Sequence, residues 1–257
     1  MAAQPNTLRL PDVESMSAEE ILLWAYETFP GKLALTCSWQ KQSSALVHMV
    51  HELGLDIPIV ELDTGLFFAE TYATRERLIE RYGLELIRPE VITIAEQHKQ
   101  EGPNLWERDP DRCCELRKVL PLQHALTGFE AWITAIRRDQ TAERAYARVV
   151  ENDRKFDLIK INPLVTWTHD DVWGHLYAHD VPYNPLHEQG YPSIGCHPCT
   201  AAVRPGEDAR AGRWRGKSKK ECGLHVIQPD RQPERQPERQ SERQPELRSE
   251  RKATDAA

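Results

Sequence analysis

Residues 33–44 have the sequence LALTCSWQKQSS, in which a short apolar run, Leu33 to Cys37, precedes a polar loop, Ser38 to Ser44. The apolar run is typical of a buried strand, and the loop leads into a helical pattern that ends near Gly54. Backbone amides and a helix N-terminus can hold an anion where a polar loop joins a strand to a helix. We interpret this stretch as the first strand, loop and helix of a nucleotide- or anion-binding α/β fold.

Strand and helix patterns alternate along the rest of the chain. A capping box, Ser17 with Glu20, opens a helix predicted over residues 18–28. The further predicted strands cover 58–62, 84–87, 131–136 and 158–161, and the further predicted helices cover 70–82, the region around 113–114 and the segment capped by Thr168 with Asp171. This alternation predicts an α/β fold with a parallel sheet and flanking helices.

The chain has the size of one folded domain with an appendage. It has 257 residues, a mass of 29.6 kDa and 40% hydrophobic residues. We assign residues 1–227 to one domain, and we expect its Pro- and Gly-rich segment 182–227 to be a lid that builds the site. Residues 228–257 contain repeats of the type Arg-Gln-Pro-Glu, with mixed charge and no aromatic residue. Such a composition predicts a disordered tail.

Composition also restricts location and partners. No apolar run approaches the about 20 residues of a membrane span, and the first ten residues lack the apolar centre of a secretory signal. We therefore expect a cytoplasmic protein that does not bind membranes. The formal net charge of −7 argues against broad binding to nucleic acid, but it is compatible with a local basic site for a small anion.

Six cysteines in a reducing compartment favour metal ligands or nucleophiles over disulfides. Cys113 and Cys114 are adjacent, and Cys196 and Cys199 form a Cys-x-x-Cys pair. Four thiolates suit an iron–sulfur cluster or a structural zinc ion, since both take sulfur ligands, but two adjacent thiolates would be strained on one tetrahedral ion. Ligand geometry favours a cluster, while zinc and unligated thiols stay open. We interpret Cys37 as a small buried hydrophobic residue.

Motifs with chemistry-bearing residues extend from the second strand to residue 225. They are LDTG (62–65), CCELRKVLPL (113–122), AWIT (131–134), RRDQ (137–140), PSIGCHPCT (192–200), RAGRW (210–214) and ECGLH (221–225). Together they resemble the motifs of the assimilatory adenylyl-sulfate reductases, which are related to the 3′-phosphoadenylyl-sulfate reductases. The resemblance covers about residues 33–225 and implies an adenine nucleotide alpha hydrolase-like fold, similar to that of the ATP pyrophosphatases.

The resemblance also implies a cofactor, a nucleophile and a redox partner. It implies a 4Fe–4S cluster on Cys113, Cys114, Cys196 and Cys199. It implies that Cys222 attacks the sulfur of adenosine 5′-phosphosulfate, releases AMP and becomes an S-sulfocysteine, which thioredoxin resolves to sulfite. The residues around Cys222 agree with this role, because nearby cations favour a nucleophilic thiolate and Cys222 is flanked by Lys217, Lys219, Lys220 and His225.

An attack on a sulfonate needs cations that hold the negative oxygens of the substrate. The residues that the resemblance implies for this work are Lys118, Arg144, Arg210 and Arg213. His225 is implied as a catalytic residue that accompanies the nucleophile, and Lys118 is placed with it in the catalytic group. Arg137 and Arg138 stay unassigned.

Loop 38–43 has the spacing of the Ser-Gly-Gly-x-Asp-Ser loop of ATP pyrophosphatases without its glycines and aspartate. This difference disfavours an ATP-cleaving enzyme and leaves a site for a smaller anionic nucleotide. Ser38 and Ser43 are predicted substrate contacts, with plain helix capping as the alternative. Asp63 and Gly65 are predicted, by the resemblance, to form a turn beside the adenosine pocket.

Other functions stay open at this point. They are the reduction of 3′-phosphoadenylyl sulfate, a non-catalytic iron–sulfur redox sensor and an ATP pyrophosphatase-type enzyme such as a tRNA thiolase. In the family the cluster cysteines usually accompany the non-phosphorylated substrate, which favours adenosine 5′-phosphosulfate. Cys222 and the arginine-rich residues 210–215 favour catalysis over sensing, and the acidic net charge disfavours an RNA substrate. The sequence leaves a homo-oligomer open.

Overall fold

The computed structural model describes residues 12–225, so the predicted tail at 228–257 lies outside the described residues. In chain order the helices and strands are α1 (Ala18–Thr28), β1 (Leu33–Cys37), α2 (Lys41–Glu52), β2 (Ile59–Glu61), α3 (Ala69–Tyr82), β3 (Leu86–Ile87), α4 (Ile94–Glu101), α5 (Leu105–Arg108), α6 (Pro110–Cys114), α7 (Leu120–Ala125), β4 (Ala131–Ile133), β5 (Val150–Asp153), β6 (Leu158–Ile161) and α8 (His169–Ala178). A π-helical turn, Glu115–Val119, joins α6 to α7. Short 3₁₀ turns lie at Val13–Ser15, Arg138–Gln140, Glu143–Tyr146, Pro185–Gln189 and His197–Cys199.

The strands form one sheet in the order β3-β2-β1-β4-β6-β5. Every neighbouring pair is parallel except β5 and β6, which are antiparallel. The predicted parallel sheet with flanking helices is therefore confirmed, with an antiparallel strand added at one edge. Within residues 12–225 none of the helices combines the length and the apolar character that crossing a bilayer requires.

Alternate residues of β1 lie in two separate hydrophobic clusters, as expected for a strand covered on both faces. Leu33, Leu35 and Cys37 belong to the larger cluster, which also contains buried residues of α1, α2 and α8. Ala34 belongs to a smaller cluster with Val60, Leu122, Leu126 and Trp132 on the opposite face. Cys37 is only 6% exposed, which confirms the prediction of a buried thiol.

Helix α2 begins at Lys41, inside the loop that the sequence predicts over residues 38–44. All of its residues from Lys41 to Val50 are buried, although several of them are polar. Their polarity suggests a solvated loop, but the side chains of Lys41, Gln42 and Ser43 line an internal cavity. The polar start of α2 is therefore part of the cavity wall.

Strand β5 and the helices α4, α5 and α7 are not predicted from the sequence. Strand β5 has the polar sequence VEND and pairs with β6 at the sheet edge, where only one side of the strand needs a partner. Helix α4 is opened by a capping box between Thr93 and Glu96, a pattern that the sequence contains and that could have identified it. Conversely, the strand predicted over 131–136 ends at Ile133.

Helices α2 and α8 pack against each other through three histidines. His48 Nδ1 lies 3.0 Å from His175 Nε2, and the ring centroids of His48, His175 and His179 are 4.7–4.9 Å apart. Burial lowers the pKa of His48, and burial with the two neighbouring imidazoles lowers the pKa of His175 to about 4. Both rings are therefore neutral at pH 7.

Acidification should destabilise this helix pair. Unfolded histidine has a pKa of about 6.5, so below that pH the unfolded chain binds more protons than the folded chain, and stability is lost as the pH falls. His175→Leu should reduce the loss in melting temperature between about pH 7.5 and about pH 5.5 by about 2–4 °C. His124→Gln, at an exposed position of α7, is the control and should keep the wild-type loss. Equal losses in all three proteins would contradict the assignment.

Candidate functional site

A cavity of about 280 Å³ opens at the carboxyl ends of the parallel strands. Cys37 at the end of β1, Leu62 after β2 and Thr134 after β4 all line it. The chain leaves β1 toward β2 on one side, while β4 pairs with β1 on the other side. In open α/β sheets ligands bind at such a point, where the strand order reverses. The fold therefore places the cavity where a nucleotide site is expected.

Most of the site residues predicted from the sequence meet at this cavity. Its wall contains Ser38, Ser43, Lys118, Arg144, Arg210, Arg213, Cys222 and His225. They come from the β1–α2 loop, the first turn of α2, the π-helical turn, the segment between β4 and β5, and the segment after α8. Their gathering is consistent with the predicted substrate site, and their individual roles remain predictions.

The β1–α2 loop is held by Ser38, Ser43 and Trp39. Ser43 Oγ accepts from the backbone N–H of Ser38 at 3.2 Å and lies 2.9 Å from Ser38 Oγ. Trp39 adopts a left-handed backbone conformation, with φ of 56°, which an L residue tolerates only when other contacts fix it. Its fully buried ring supplies that contact by donating from Nε1 to Glu61 Oε1 at 2.9 Å.

Glu61 anchors the loop from the end of β2. Its side chain is fully buried and also accepts from Arg75 NH1 at 3.1 Å and from Arg88 Nε at 2.8 Å. A buried carboxylate is stable only with such partners. The tryptophan and this carboxylate thus fix the tight turn of the β1–α2 loop.

Cys222 lies in the cavity wall with cations nearby. Burial raises the pKa of its thiol, but Lys118, the backbone N–H of Leu224 and Arg213 together outweigh that effect and hold the pKa below the ordinary thiol value. Burial alone would lower the pKa of Lys118, yet the sulfur charges of Cys196, Cys222 and Cys114 raise it above its usual range. Lys118 therefore stays charged and favours the thiolate of Cys222.

Two of the predicted arginines are joined by Glu221, the residue before Cys222. Glu221 accepts from Arg144 Nε at 3.1 Å and NH2 at 3.0 Å, and from Arg210 NH2 at 3.0 Å. Arg210 also donates to Ser193 Oγ at 3.3 Å and to the carbonyl of Lys220 at 2.9 Å. These bonds hold both guanidinium groups at the cavity and fix the backbone next to Cys222.

Arg213 reaches the cavity across Gly195. It donates from NH1 to Ser193 Oγ at 3.3 Å, while its buried Nε has no hydrogen-bond partner. A Cβ at Gly195 would overlap the Arg213 guanidinium group, so only glycine allows this path. The PSIG part of the PSIGCHPCT motif thus positions a cation as well as the following cysteine.

His225 lies against Trp132 of β4. The two rings are stacked, with their centroids 5.8 Å apart and an interplanar angle of 8°. His225 Nδ1 and Trp132 Nε1 are both buried without a hydrogen-bond partner. Burial and the nearby cations, Lys160 first among them, keep the pKa of His225 well below its usual value. The imidazole is therefore neutral and carries a ring nitrogen free to bond a ligand.

Arg137 and Lys41 line the cavity without having been predicted as site residues. Arg137 is 3% exposed, pairs with Asp139 at 2.9 Å and has a buried NH1 without a partner. Burial and Arg137 lower the pKa of Lys41 to about 8. The RRDQ motif marks Arg137 and Arg138 equally, but Arg138 instead donates to Ala147 and Glu14 outside the cavity wall.

Asp63 and Gly65 are not among the residues that line the cavity. Asp63 Oδ1 accepts from the backbone N–H of Gly65 and from Tyr72 Oη, both at 2.8 Å, and Asp63 Oδ2 accepts from Arg75 at 3.3 Å. These bonds shape the turn after β2, where Gly65 has φ of 65°. The predicted turn is present, while its contact with adenosine remains a prediction.

The cysteines of the 113–114 pair and of the Cys-x-x-Cys pair line a second, narrower cavity. Cys113 and Cys114 reach it from α6, and Cys196 and Cys199 reach it from the loop near the 3₁₀ turn at 197–199. Burial raises the pKa of Cys113 to about 12 and that of Cys199 to about 11, with the neighbouring thiols adding to both effects. Such thiols are reluctant to ionise unless a cation binds them.

Unpartnered donors surround the four sulfur atoms. Arg117 NH2 and Trp214 Nε1 are buried without hydrogen-bond partners, and both residues line the cysteine cavity. Arg117 is otherwise fixed by bonds of 2.6 Å to Gln97 and to the carbonyl of Thr64. Four soft ligands with spare N–H donors fit a sulfide-containing cluster. In the described part of the chain, no three His, Cys, Asp or Glu side chains are arranged to hold a single metal ion.

Fold and site together define a mostly parallel α/β protein in which a thiol of lowered pKa and several cations line one cavity. The family described as the phosphoadenosine phosphosulfate reductase domain matches residues 32–202. This chain is 46% identical over 217 residues to the adenosine 5′-phosphosulfate reductase of Geobacillus thermodenitrificans, covering 84% of this chain and 92% of that protein. It is also 46% identical over 211 residues to adenosine 5′-phosphosulfate reductase 1 of Bacillus subtilis, covering 81% and 90%. The chain belongs to the phosphoadenosine phosphosulfate reductase family.

Solved structures agree with this fold. The phosphoadenylyl-sulfate reductase of Candida auris, in a phosphate complex, matches with a TM-score of 0.64 and 30% identity over 74% of this chain and 91% of that one. The FMN adenylyltransferase of Candida glabrata, in complex with ATP, matches with a TM-score of 0.51 and 17% identity over 70% of this chain and 59% of that one. The second likeness shows a shared fold alone, the adenine nucleotide alpha hydrolase-like fold expected from the sequence.

Removing the Lys118 charge should raise the pKa of Cys222. In Lys118→Ala the pH midpoint for alkylation of Cys222 by iodoacetamide should move up by about one unit, the usual effect of losing a nearby opposite charge. Peptide mass spectrometry at a series of pH values measures it. Lys32→Ala is the control. Lys32 directly precedes β1 and donates from Nζ to the carbonyl of Gly128 at 3.0 Å, so its loss should leave the midpoint unchanged. An unchanged midpoint in Lys118→Ala would refute the electrostatic assignment.

Proposed function

We propose that this chain reduces adenosine 5′-phosphosulfate to sulfite and AMP in sulfate assimilation, with thioredoxin or a similar dithiol as reductant. One observation carries the proposal: a thiol of lowered pKa, Cys222, faces a cavity that Lys118 and Arg213 also line. Family membership and about 45% identity to adenosine 5′-phosphosulfate reductases support it. The enzyme class would be an oxidoreductase that acts on a sulfur group.

The first step is sulfur transfer to the protein. The Cys222 thiolate attacks the sulfonate sulfur, and a sulfur–sulfur bond forms as the bond between that sulfur and the bridging oxygen breaks. The electron pair leaves on the phosphate oxygen of AMP. Lys118 and Arg213 would hold the sulfonate oxygens and reduce their repulsion toward the thiolate. Arg144 and Arg210, already fixed by Glu221, would hold the phosphate side.

The second step needs the dithiol. One of its thiolates attacks Cys222 Sγ, and the bond to the SO₃ group breaks with its electron pair on sulfite. The second thiol of the reductant then displaces Cys222, so the reductant leaves as a disulfide and Cys222 returns as a thiolate. The two electrons that the dithiol loses are those that sulfur gains. A reducing, cytoplasmic environment would supply such a partner.

His225 and the serines would orient the substrate. A neutral His225 with a free Nδ1 adds a hydrogen-bonding group beside Cys222 without adding a charge that would compete with Lys118. Ser38 and Ser43 lie at the start of α2, where their hydroxyls and the helix N-terminus would meet an anion. Asp63 and Gly65 would act through the turn that they form next to Leu62, a residue of the cavity wall.

We further propose that the four paired cysteines hold a 4Fe–4S cluster. Four sulfur ligands and the two buried N–H donors of Arg117 and Trp214 support this fit. A bound cluster would cross-link α6 to the 196–199 loop and add fixed negative charge near Lys118. Lys118 and Arg213 line both cavities, so these two cations would feel that charge and face the substrate.

Segment 182–227 would then be the site-building part of a single domain, 1–227. Ser193, Arg210, Arg213 and Cys222 support this division, since all four line the cavity and all follow α8. The non-phosphorylated nucleotide is the preferred substrate in this proposal, because the similar bacterial proteins carry that activity in their names.

Mixing the protein with adenosine 5′-phosphosulfate in the absence of a reductant should give about one AMP per active chain, since attack forms a covalent intermediate. Intact-mass and peptide spectrometry should find one SO₃ group on the peptide that contains Cys222, and reduced thioredoxin should remove it as sulfite. The 3′-phosphorylated nucleotide should give a slower burst. Cys37→Ser, which changes the other cavity thiol, should keep the burst. A full burst from Cys222→Ser would refute the nucleophile.

Anaerobically purified protein should contain about four irons and four acid-labile sulfides per chain, because four thiolates complete the ligand set of one cluster. Elemental analysis and visible absorption measure the cluster. Replacing Cys113, Cys114, Cys196 or Cys199 by Ser should remove iron and activity together, whereas Cys222→Ser should keep the iron. Stoichiometric zinc without sulfide would contradict the cluster.

A further inference from the structure

Residues 221–225, here called the nucleophile segment, are attached to the rest of the protein on both sides of Cys222. On one side Glu221 pairs with Arg144 and Arg210. On the other side the segment lies on the hairpin formed by β5 and β6 and on the smaller hydrophobic cluster. The first attachment belongs to the cavity already described. The second reaches beyond it, because Lys155, Phe156 and Gly223 are not among the residues that line the cavity.

Lys155 forms the polar part of the second attachment. It lies in the turn of the hairpin and donates from Nζ to the carbonyl of Gly223 at 2.6 Å. Asp153 Oδ1 shapes that turn by accepting from the backbone N–H of Lys155 at 3.0 Å. Gly223 has φ of 85°, a conformation that favours glycine. The turn thus presents one cation to one carbonyl directly after the nucleophile.

Aromatic and apolar contacts form the rest of the attachment. Phe156, next to Lys155, meets Trp132 edge to face with ring centroids 5.5 Å apart, and Trp132 stacks on His225. Leu224 packs against the same smaller cluster as Phe156. The hairpin therefore contacts the segment at Gly223 and supports the ring on which His225 lies.

The chemistry of the proposed function needs this segment in two positions. Cys222 must face the cavity to attack the sulfonate, and its sulfur must later meet a thiol of another protein. Cys222 and its four neighbours are all only partly exposed, which limits the approach of a protein-sized reductant. Lys155 is solvent-exposed, and a hydrogen bond in water is weak enough to open and close readily.

We propose that Lys155 is a positioning residue that holds the nucleophile segment in the cavity through Gly223. Its bond sets the fraction of molecules in which Cys222 faces substrate, so it speeds sulfur transfer and slows access from solvent. This inference rests on the proposed function for its catalytic consequence but not for its conformational one. The accessibility of the thiol reports the conformation without any substrate.

The test compares Lys155→Met with wild type in the full, cluster-containing chain. Methionine keeps an apolar stem beside Phe156 and removes the donor. Alkylation of Cys222 by iodoacetamide, followed by peptide mass spectrometry, should become about 3–10-fold faster, the range expected for losing one hydrogen bond. The single-turnover burst of AMP should become slower by a similar factor, with the melting temperature and the visible absorption unchanged.

Two further variants separate positioning from charge. Lys155→Arg keeps a donor and should restore both rates, whereas Arg154→Met removes the neighbouring exposed cation and should change neither. Loss of a cation would by itself raise the pKa of Cys222 and slow its alkylation, so faster alkylation identifies release of the segment.

Unchanged alkylation in Lys155→Met, or equal acceleration in Arg154→Met, would overturn the inference. Faster alkylation in Lys155→Met without a slower burst would overturn its catalytic part. If alkylation behaves as expected while wild-type protein releases no AMP, the proposed function fails and the positioning role of Lys155 stands.

Discussion

The charge of Lys118 acts on both cavities, because its side chain lines each of them. Its ammonium group feels Cys222 on the substrate side and Cys114 and Cys196 on the other, and the raised pKa of Lys118 follows from that sulfur. The dependence is mutual, because the same cation lowers the pKa of Cys222. The π-helical turn that carries Lys118 follows directly after Cys113 and Cys114 in the chain. One side chain on one turn thus lies in the walls of both the Cys222 cavity and the cavity of the four paired cysteines.

Sequence patterns predict the parallel core of the fold because its central strands, β1 and β4, are short, mostly apolar and buried. Strand β5 escapes prediction because an edge strand does not need apolar residues, and VEND has the composition of a loop. The sequence predicts the start of α2 too late for a related reason. Lys41, Gln42 and Ser43 are polar, as in a loop, but they are buried in the wall of a cavity. Local composition indicates polarity, whereas tertiary structure decides whether solvent or an internal site faces a residue.

In the candidate site, too, some residues are predicted from local sequence and others depend on tertiary structure. Motifs identify the cysteines and cations because those residue types are tied to their chemistry, and Lys118, Arg213 and Cys222 meet at one cavity. Spacing does not distinguish Arg137 from Arg138. Tertiary contacts do, since Arg137 is buried and pairs with Asp139, whereas Arg138 donates to the carbonyl of Ala147. The contact between Lys155 and Gly223 joins residues 68 positions apart, and no sequence motif contains both.

The hairpin that holds the nucleophile segment also ends the sheet. Glu151, Asn152 and Asp153 place acidic and amide side chains along that edge strand, and the opposite edge, β3, has only two residues. Charged or very short edge strands resist pairing with strands of other chains. Neither border of the sheet is therefore suited to β-augmentation or to edge-to-edge aggregation. Among residues 12–225, helices and loops are therefore better suited than these two edge strands to contact another chain.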